Sequence, residues 1–173
     1  TSIIVYANKE KKKNLLIYDA INKVLIKNKI LAPKLYNEQY KKNFIEIEDF
    51  GNETIYDLLK RKGSKKLALY KNSIKLLNKI QKIKQNKIRN FNGKSYKIPT
   101  YDKNKLLIEA KLFSDWYVKR CISRKKILDL NLQISKQIRF LLSKLKLKNN
   151  TFVHRDFHVS NLMKYKKKLA IID

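Results

Sequence analysis

The stretch Phe152-Val153-His154-Arg155-Asp156-Phe157-His158-Val159-Ser160-Asn161-Leu162-Met163 decides how this chain is read. An apolar pair enters it and an apolar pair leaves it. Between them stand polar residues in the order H-R-D-x-x-x-x-N. A second apolar run, Leu169-Ala170-Ile171-Ile172, ends in Asp173, twelve residues beyond Asn161. Thr151 to His154 reads as a short strand. Leu162 to Tyr165 and Leu169 to Ile172 read as a hairpin around Lys166-Lys167-Lys168. The polar residues therefore sit on a loop between short strands, with Asp173 at a strand end.

Phosphoryl transfer explains that spacing. The reaction needs a carboxylate beside the acceptor hydroxyl and hard oxygen ligands that hold Mg²⁺ against the phosphates of ATP. Asp156 is the candidate catalytic base, and Asn161 and Asp173 are the candidate metal ligands. Taken singly, Asp156 and Asn161 are also ordinary turn residues. His154 reads as loop support, His158 as loop support or a substrate contact, and Arg155 as an ion-pair partner or a solvated side chain. A zinc set of His154, Asp156 and His158 is the competing metal reading. It leaves Asn161 and Asp173 without a role, and the chain holds only these two histidines.

Upstream, Ser2 to Ala7 reads as a strand and Lys11 to Asn28 as a helix with Ile17, Ala20, Ile21, Val24 and Leu25 on one face. Pro33 breaks that pattern. Lys34–Tyr36 and Asn43–Glu48 read as two more strands, and Phe50-Gly51-Asn52 as a turn. Helices follow: Glu53 to Lys62, ending at Gly63 as C′ residue, and one capped by Ser64 with Leu67, Tyr70, Ile74, Leu77 and Ile80 facing the core. Gln85 to Thr100 is polar and reads as loop. Lys103 to Ile122 reads as a helix with Leu106, Ala110, Phe113, Tyr117 and Cys121 on one face. A last helix carries Leu130, Ile134, Ile138, Leu141 and Leu145.

Composition bounds the alternatives. The 173 residues can form one core, or one core and a small lobe, and 43% hydrophobic content is too high for a disordered chain. The formal charge is +28, with only six arginines among the 42 basic residues. Lysine is spread evenly and without interleaved aromatics, so the charge reads as compositional drift and names no specific nucleic-acid partner. A polycation that binds nucleic acid stays the alternative. Cys121 is the single cysteine, which excludes an internal disulfide and points to a cytoplasmic setting. No apolar run approaches the roughly 20 residues needed to span a bilayer.

At these residues the chain resembles the aminoglycoside phosphotransferase and choline kinase superfamily, and most closely the bacterial cell-wall-recycling kinases of N-acetylmuramate and N-acetylglucosamine. Their loop, V-H-R-D-[FY]-H-x-x-N-L-M, is matched from Val153 to Met163. Weaker echoes are Ala32-Pro33-Lys34-Leu35-Tyr36, Ile47-Glu48-Asp49-Phe50-Gly51, and Tyr101-Asp102 leading to Glu109, Leu112-Phe113 and Trp116-Tyr117. The resemblance implies an α+β, protein-kinase-like two-lobe fold with a partial N-terminal sheet lobe and a truncated helical C-terminal lobe. Residues 1–49 would be the remainder of the nucleotide-binding lobe, 50–52 the hinge and 53–173 the helical catalytic lobe. It implies ATP and Mg²⁺ as cofactors and a small hydroxylated substrate, an amino sugar. Adenine would meet the backbone of Glu48, Asp49 and Phe50. Glu109 and Trp116 would lie on a helix near the substrate. Choline-type or aminoglycoside-type acceptors, or a pseudokinase, are the alternatives. The Gly-rich phosphate loop of the family is not present, and the kinase lysine would fall at Tyr6 or Ala7, neither of which serves. The chain is expected to be a fragment, inactive alone.

Overall fold

The segment Phe44-Ile45-Glu46-Ile47-Glu48 alternates apolar and acidic residues, the pattern of a strand with one face in a core. In a computed structural model of the chain, residues 1–121, 124–146 and 151–172 are described. They fall into two compact units. One contains the chain up to Ile98 with the segment from Thr151 onward, and the other runs from Pro99 to Asn150.

In the first unit, β1 (Ser2–Tyr6), helix α1 (Lys13–Lys27), β2 (Leu35–Gln39) and β3 (Phe44–Glu48) follow one another. The strands form an antiparallel sheet of order β1-β3-β2. Ile45 and Ile47 of β3 are buried against Leu15 of α1, and Ile3 and Val5 of β1 are in register with Ile47 and Ile45. The opposite side of β1 faces solvent, with Ile4 67% and Tyr6 63% exposed. In α1, Ala20, Val24 and Leu25 are buried as the periodicity requires, whereas Ile17 is exposed. The face also holds a charge. Asp19 is buried and bonds Lys23 one turn on at 2.8 Å, with the lysine stem reaching toward solvent.

The larger core gathers Val24, Leu25, Ile30, Ile55, Leu58, Ile80, Ile83, Leu162 and Ile171. Helix α2 (Ile55–Lys60) contributes Ile55 and Leu58. Its start is a capping box: the Thr54 hydroxyl accepts from the Asp57 amide at 3.1 Å and the Asp57 carboxylate accepts from the Thr54 amide at 3.3 Å. The Thr54 hydroxyl, before any other group, holds the Asp57 carboxyl below its ordinary value. The helix is shorter than the periodicity suggests. It stops at an extended Arg61, so Gly63 lies beyond the C′ position.

Helix α3 (Lys66–Gln81) corrects two expectations. Lys65, not Ser64, occupies its cap position. Its inward face carries Leu69, Ser73, Leu76 and Ile80, while Leu67, Tyr70 and Ile74 are exposed. Two apolar stripes run along this helix. The one turned inward includes Ser73, whose hydroxyl is satisfied by the Leu69 carbonyl at 3.0 Å and so costs little to bury.

Gln85 to Thr100, read as loop, contains a hairpin of β4 (Lys87–Arg89) and β5 (Ser95–Lys97). The Asn90 side chain closes it by accepting from the amides of Asn92 and Lys94, and Gly93 supplies the positive φ of 73° that the turn requires. Strands of three residues leave no legible alternation. Thr151 to His154, expected as a strand, is irregular. The expected second hairpin is present as β6 (Leu162–Tyr165) and β7 (Lys168–Ile171).

In the second unit, α4 (Lys103–Leu112) starts at Asp102, whose carboxylate accepts from the amides of Asn104 and Lys105 at 3.1 Å. A π-helical segment, Phe113–Val118, follows and leads into the short α5 (Lys119–Cys121). The wider turn advances the helix phase. Ser114 and Val118 are therefore buried, and Phe113, Tyr117 and Cys121, expected on the inner face, are exposed. Ile122 lies outside the described residues. In α6 (Arg124–Lys144), Leu130, Ile134 and Ile138 turn inward as expected, and Leu142 takes the place predicted for Leu141. Helices and small antiparallel sheets together give the α+β class read from the sequence. No helix among the described residues is long and apolar enough to cross a membrane.

The β6–β7 turn yields a stability test. Lys166 and Lys167 both have positive φ, 44° and 63°, the type I′ geometry that favours Asn-Gly. Replacing Lys166-Lys167 by Asn-Gly should stabilise the unit by about 1 kcal/mol, read as a higher urea midpoint at constant m-value.

Candidate active site

The loop from Phe152 to Asn161 is held from beneath by alternate residues. Phe152, Phe157 and Val159 pack against the larger core, and the ring of His154 meets the edge of Phe157 at 5.8 Å. Asp156, His158 and Ser160 are thereby left facing outward. Arg155 adopts φ 75°, a left-handed kink that turns the chain between His154 and Asp156. A short 3₁₀ turn, Val159–Asn161, then leads into β6. It is capped by His158, whose Nδ1 accepts from the Ser160 amide at 3.2 Å.

Three of the predicted residues come together here. Asn161 Nδ2 donates to the Asp156 carboxylate at 2.9 Å and to the Asp156 carbonyl at 3.1 Å, so both amide hydrogens serve the same residue. The other carboxylate oxygen of Asp156 lies 3.4 Å from His158 Nε2. Because Nδ1 of His158 accepts a hydrogen bond, its neutral imidazole carries the proton on Nε2, toward Asp156. Asn161 thus holds one oxygen of the carboxylate, the other lies beside His158, and the group remains 67% exposed. Among the described residues, nothing donates to Asn161 Oδ1, which leaves it for a hard cation. Asp173 lies outside the described residues. The preceding residue, Ile172, donates its amide to the Asn161 carbonyl at 3.1 Å.

The remaining candidates have other surroundings. Glu48 ends β3, and its carboxylate accepts from the Lys34 amide at 3.4 Å. Asp49 accepts from the Gly51 amide at 2.7 Å, which closes the turn. The Phe50 ring is buried with Met163 and Ala170 and lies 4.7 Å from the Tyr165 ring. Only its backbone remains to meet a ligand. The turn and the β6–β7 hairpin therefore share a core. Arg155 lies close enough to Tyr96 of β5 for its charge to act on that phenol. Glu109 belongs to the second unit, where it accepts a hydrogen bond from the Tyr101 hydroxyl. The zinc set is not assembled: among the described residues no three His, Cys, Asp or Glu side chains gather to hold a metal. His154 is half-buried beside Phe157, whereas Asp156 and His158 face outward.

Sequence reasoning missed the support from α2. The Glu53 carbonyl accepts from the Lys164 amide at 3.1 Å, and Thr54 bridges Met163, which ties the start of α2 to β6 directly after Asn161. The S/T-x-x-D capping signature at Thr54–Asp57 was the available signal.

Burial raises the Tyr96 phenol above its ordinary pKa, and the Arg155 guanidinium pulls partly against that. Arg155→Gln should raise the Tyr96 pKa further, as followed by NMR of ring-labelled tyrosine. An unchanged Tyr96 pKa would show that the two side chains do not interact.

No family model matches this chain. Over 144 residues, 82% of this chain, it is 26% identical to the N-acetylmuramate/N-acetylglucosamine kinase of Neisseria meningitidis serogroup B, and it spans 40% of that protein's length. This distant likeness to a sugar kinase supports a kinase-type phosphotransferase in coarse terms.

Proposed function

We propose that the chain carries the catalytic loop of an ATP-dependent phosphotransferase that acts on the hydroxyl of a small molecule, with an amino sugar as acceptor. The observation that carries this reading is the pairing of Asp156 with Asn161, which presents an outward carboxylate beside an amide oxygen. In this reading, Asp156 takes the acceptor's hydroxyl proton as the oxygen attacks the γ-phosphorus. The bond between that phosphorus and the bridging oxygen breaks, and ADP leaves. The hydrogen bonds from Asn161 keep the carboxylate aimed before substrate arrives, which lowers the cost of orientation.

The donor chemistry at the loop suits magnesium. Asn161 Oδ1 is a hard oxygen donor, and Asp173 is the further candidate ligand from the sequence. Bound there, the ion would neutralise phosphate charge. The backbone of Glu48 to Phe50 is the proposed adenine contact, and the division into lobe 1–49, hinge 50–52 and lobe 53–173 goes with it. The amino-sugar acceptor rests on the substrates in the relative's name. It also suits the charge balance, because 14 acidic residues against 42 basic ones disfavour a polycationic acceptor.

The test uses the protein as its gene encodes it, with ATP, magnesium, and N-acetylglucosamine, N-acetylmuramate, choline or kanamycin as acceptors. Phosphate should appear on an amino sugar, and Asp156→Asn should lower kcat at least about 100-fold with ATP binding little changed. Transfer to none of the four, or unchanged turnover in the variant, would remove the assignment.

A further inference from the structure

Tyr18 joins two parts of the first unit that lie far apart in sequence. Its ring packs with Leu15, Ile45 and Ile47, which fixes the side chain against the sheet. Its hydroxyl donates to the Ile172 carbonyl at 3.0 Å, across 154 residues. The same peptide segment is engaged on its other side, where the Ile172 amide donates to the Asn161 carbonyl at 3.1 Å. Asn161 in turn spends both side-chain hydrogens on Asp156. A continuous run of hydrogen bonds thus leads from α1 through Ile172 and Asn161 to the Asp156 carboxylate.

The Ile172 side chain packs against the cluster of Phe50, Met163 and Ala170. Core contact therefore locates the residue, and the Tyr18 bond fixes the rotation of its carbonyl. If that carbonyl swings, the neighbouring peptide planes follow, and the Ile172 contact with Asn161 loosens. Asn161 has no second backbone bond of this kind among the described residues, because its own amide goes back to His158 within the turn.

We propose that Tyr18 is a positioning residue for Asp156 and Asn161, holding the pair in register from α1 through the Ile172 peptide. The inference rests on the phosphotransfer reading of that pair. Tyr18→Phe keeps the ring and its packing and removes the hydroxyl, so the fold is preserved.

The experiment compares Tyr18→Phe with the unmutated protein, as its gene encodes it, in amino-sugar phosphorylation and in amide hydrogen exchange. The expected result is a kcat about five- to tenfold lower, the scale of one lost hydrogen bond, with KM unchanged for ATP and for the sugar. Exchange at Ile172 and Asn161 should accelerate, with exchange in the β1–β3 sheet unaltered. A stability effect alone would not produce that split. Wild-type kcat in the variant, or unchanged exchange at both amides, overturns the proposal. If exchange accelerates but the unmutated protein transfers no phosphate, the phosphotransfer reading has failed and the positioning role falls with it. The hydrogen-bond path itself would still stand.

Discussion

The site depends on a single amide. Asn161 gives both side-chain hydrogens to Asp156, and its backbone carbonyl receives Ile172. An exposed carboxylate on a loop would normally sample several rotamers at an entropic cost that any ligand must then meet. Here the side chain is restrained by Asn161 on one oxygen, with His158 3.4 Å from the other, before any ligand arrives. The unused oxygen of the amide is the donor a hard cation prefers. One residue thus orders the carboxylate and supplies a ligand atom.

What holds Asn161 is the core beneath it. Phe152, Phe157 and Val159 anchor the loop in the cluster that also contains Leu162 and Ile171, so loop and hairpin rest on shared apolar contacts. Helix α2 adds a second support through Glu53 and Thr54. A short helix of this length has little stability of its own, and the capping box together with burial of Ile55 and Leu58 supplies what propensity does not.

Much of this was legible in the residues. The apolar-polar alternation from Phe157 to Ser160 separates the anchoring side chains from the outward ones, and the FIEIE segment announces the central strand. The β6–β7 hairpin could be located because apolar runs bracket three lysines, although the left-handed turn at Lys166-Lys167 contradicts local preference and is imposed by the pairing of Tyr165 with Lys168. Other features were hidden for physical reasons. The inward face of α3 follows a satisfied serine and not the more apolar stripe. The π segment shifts the phase of Phe113 to Cys121 without any residue type that marks it. The contact of Tyr18 with Ile172 is tertiary, and no local pattern encodes it.

The sheet edge has a consequence for handling the protein. Strand β1 reads Ser-Ile-Ile-Val-Tyr, and in a chain with 42 basic residues it holds none. Among the described residues nothing pairs with its outer edge, and Ile4 and Tyr6 stand exposed on the face turned from the core. Such an edge offers open backbone donors and acceptors beside β-branched side chains, with no lysine, proline or bulge to deter a newcomer. The large net charge that keeps molecules apart in dilute buffer is screened within about 10 Å at 0.1 M salt. For a molecule made of these 173 residues alone, raising ionic strength should therefore favour strand addition between copies through Ser2–Tyr6, and a single lysine in place of Ile4 would act as a gatekeeper.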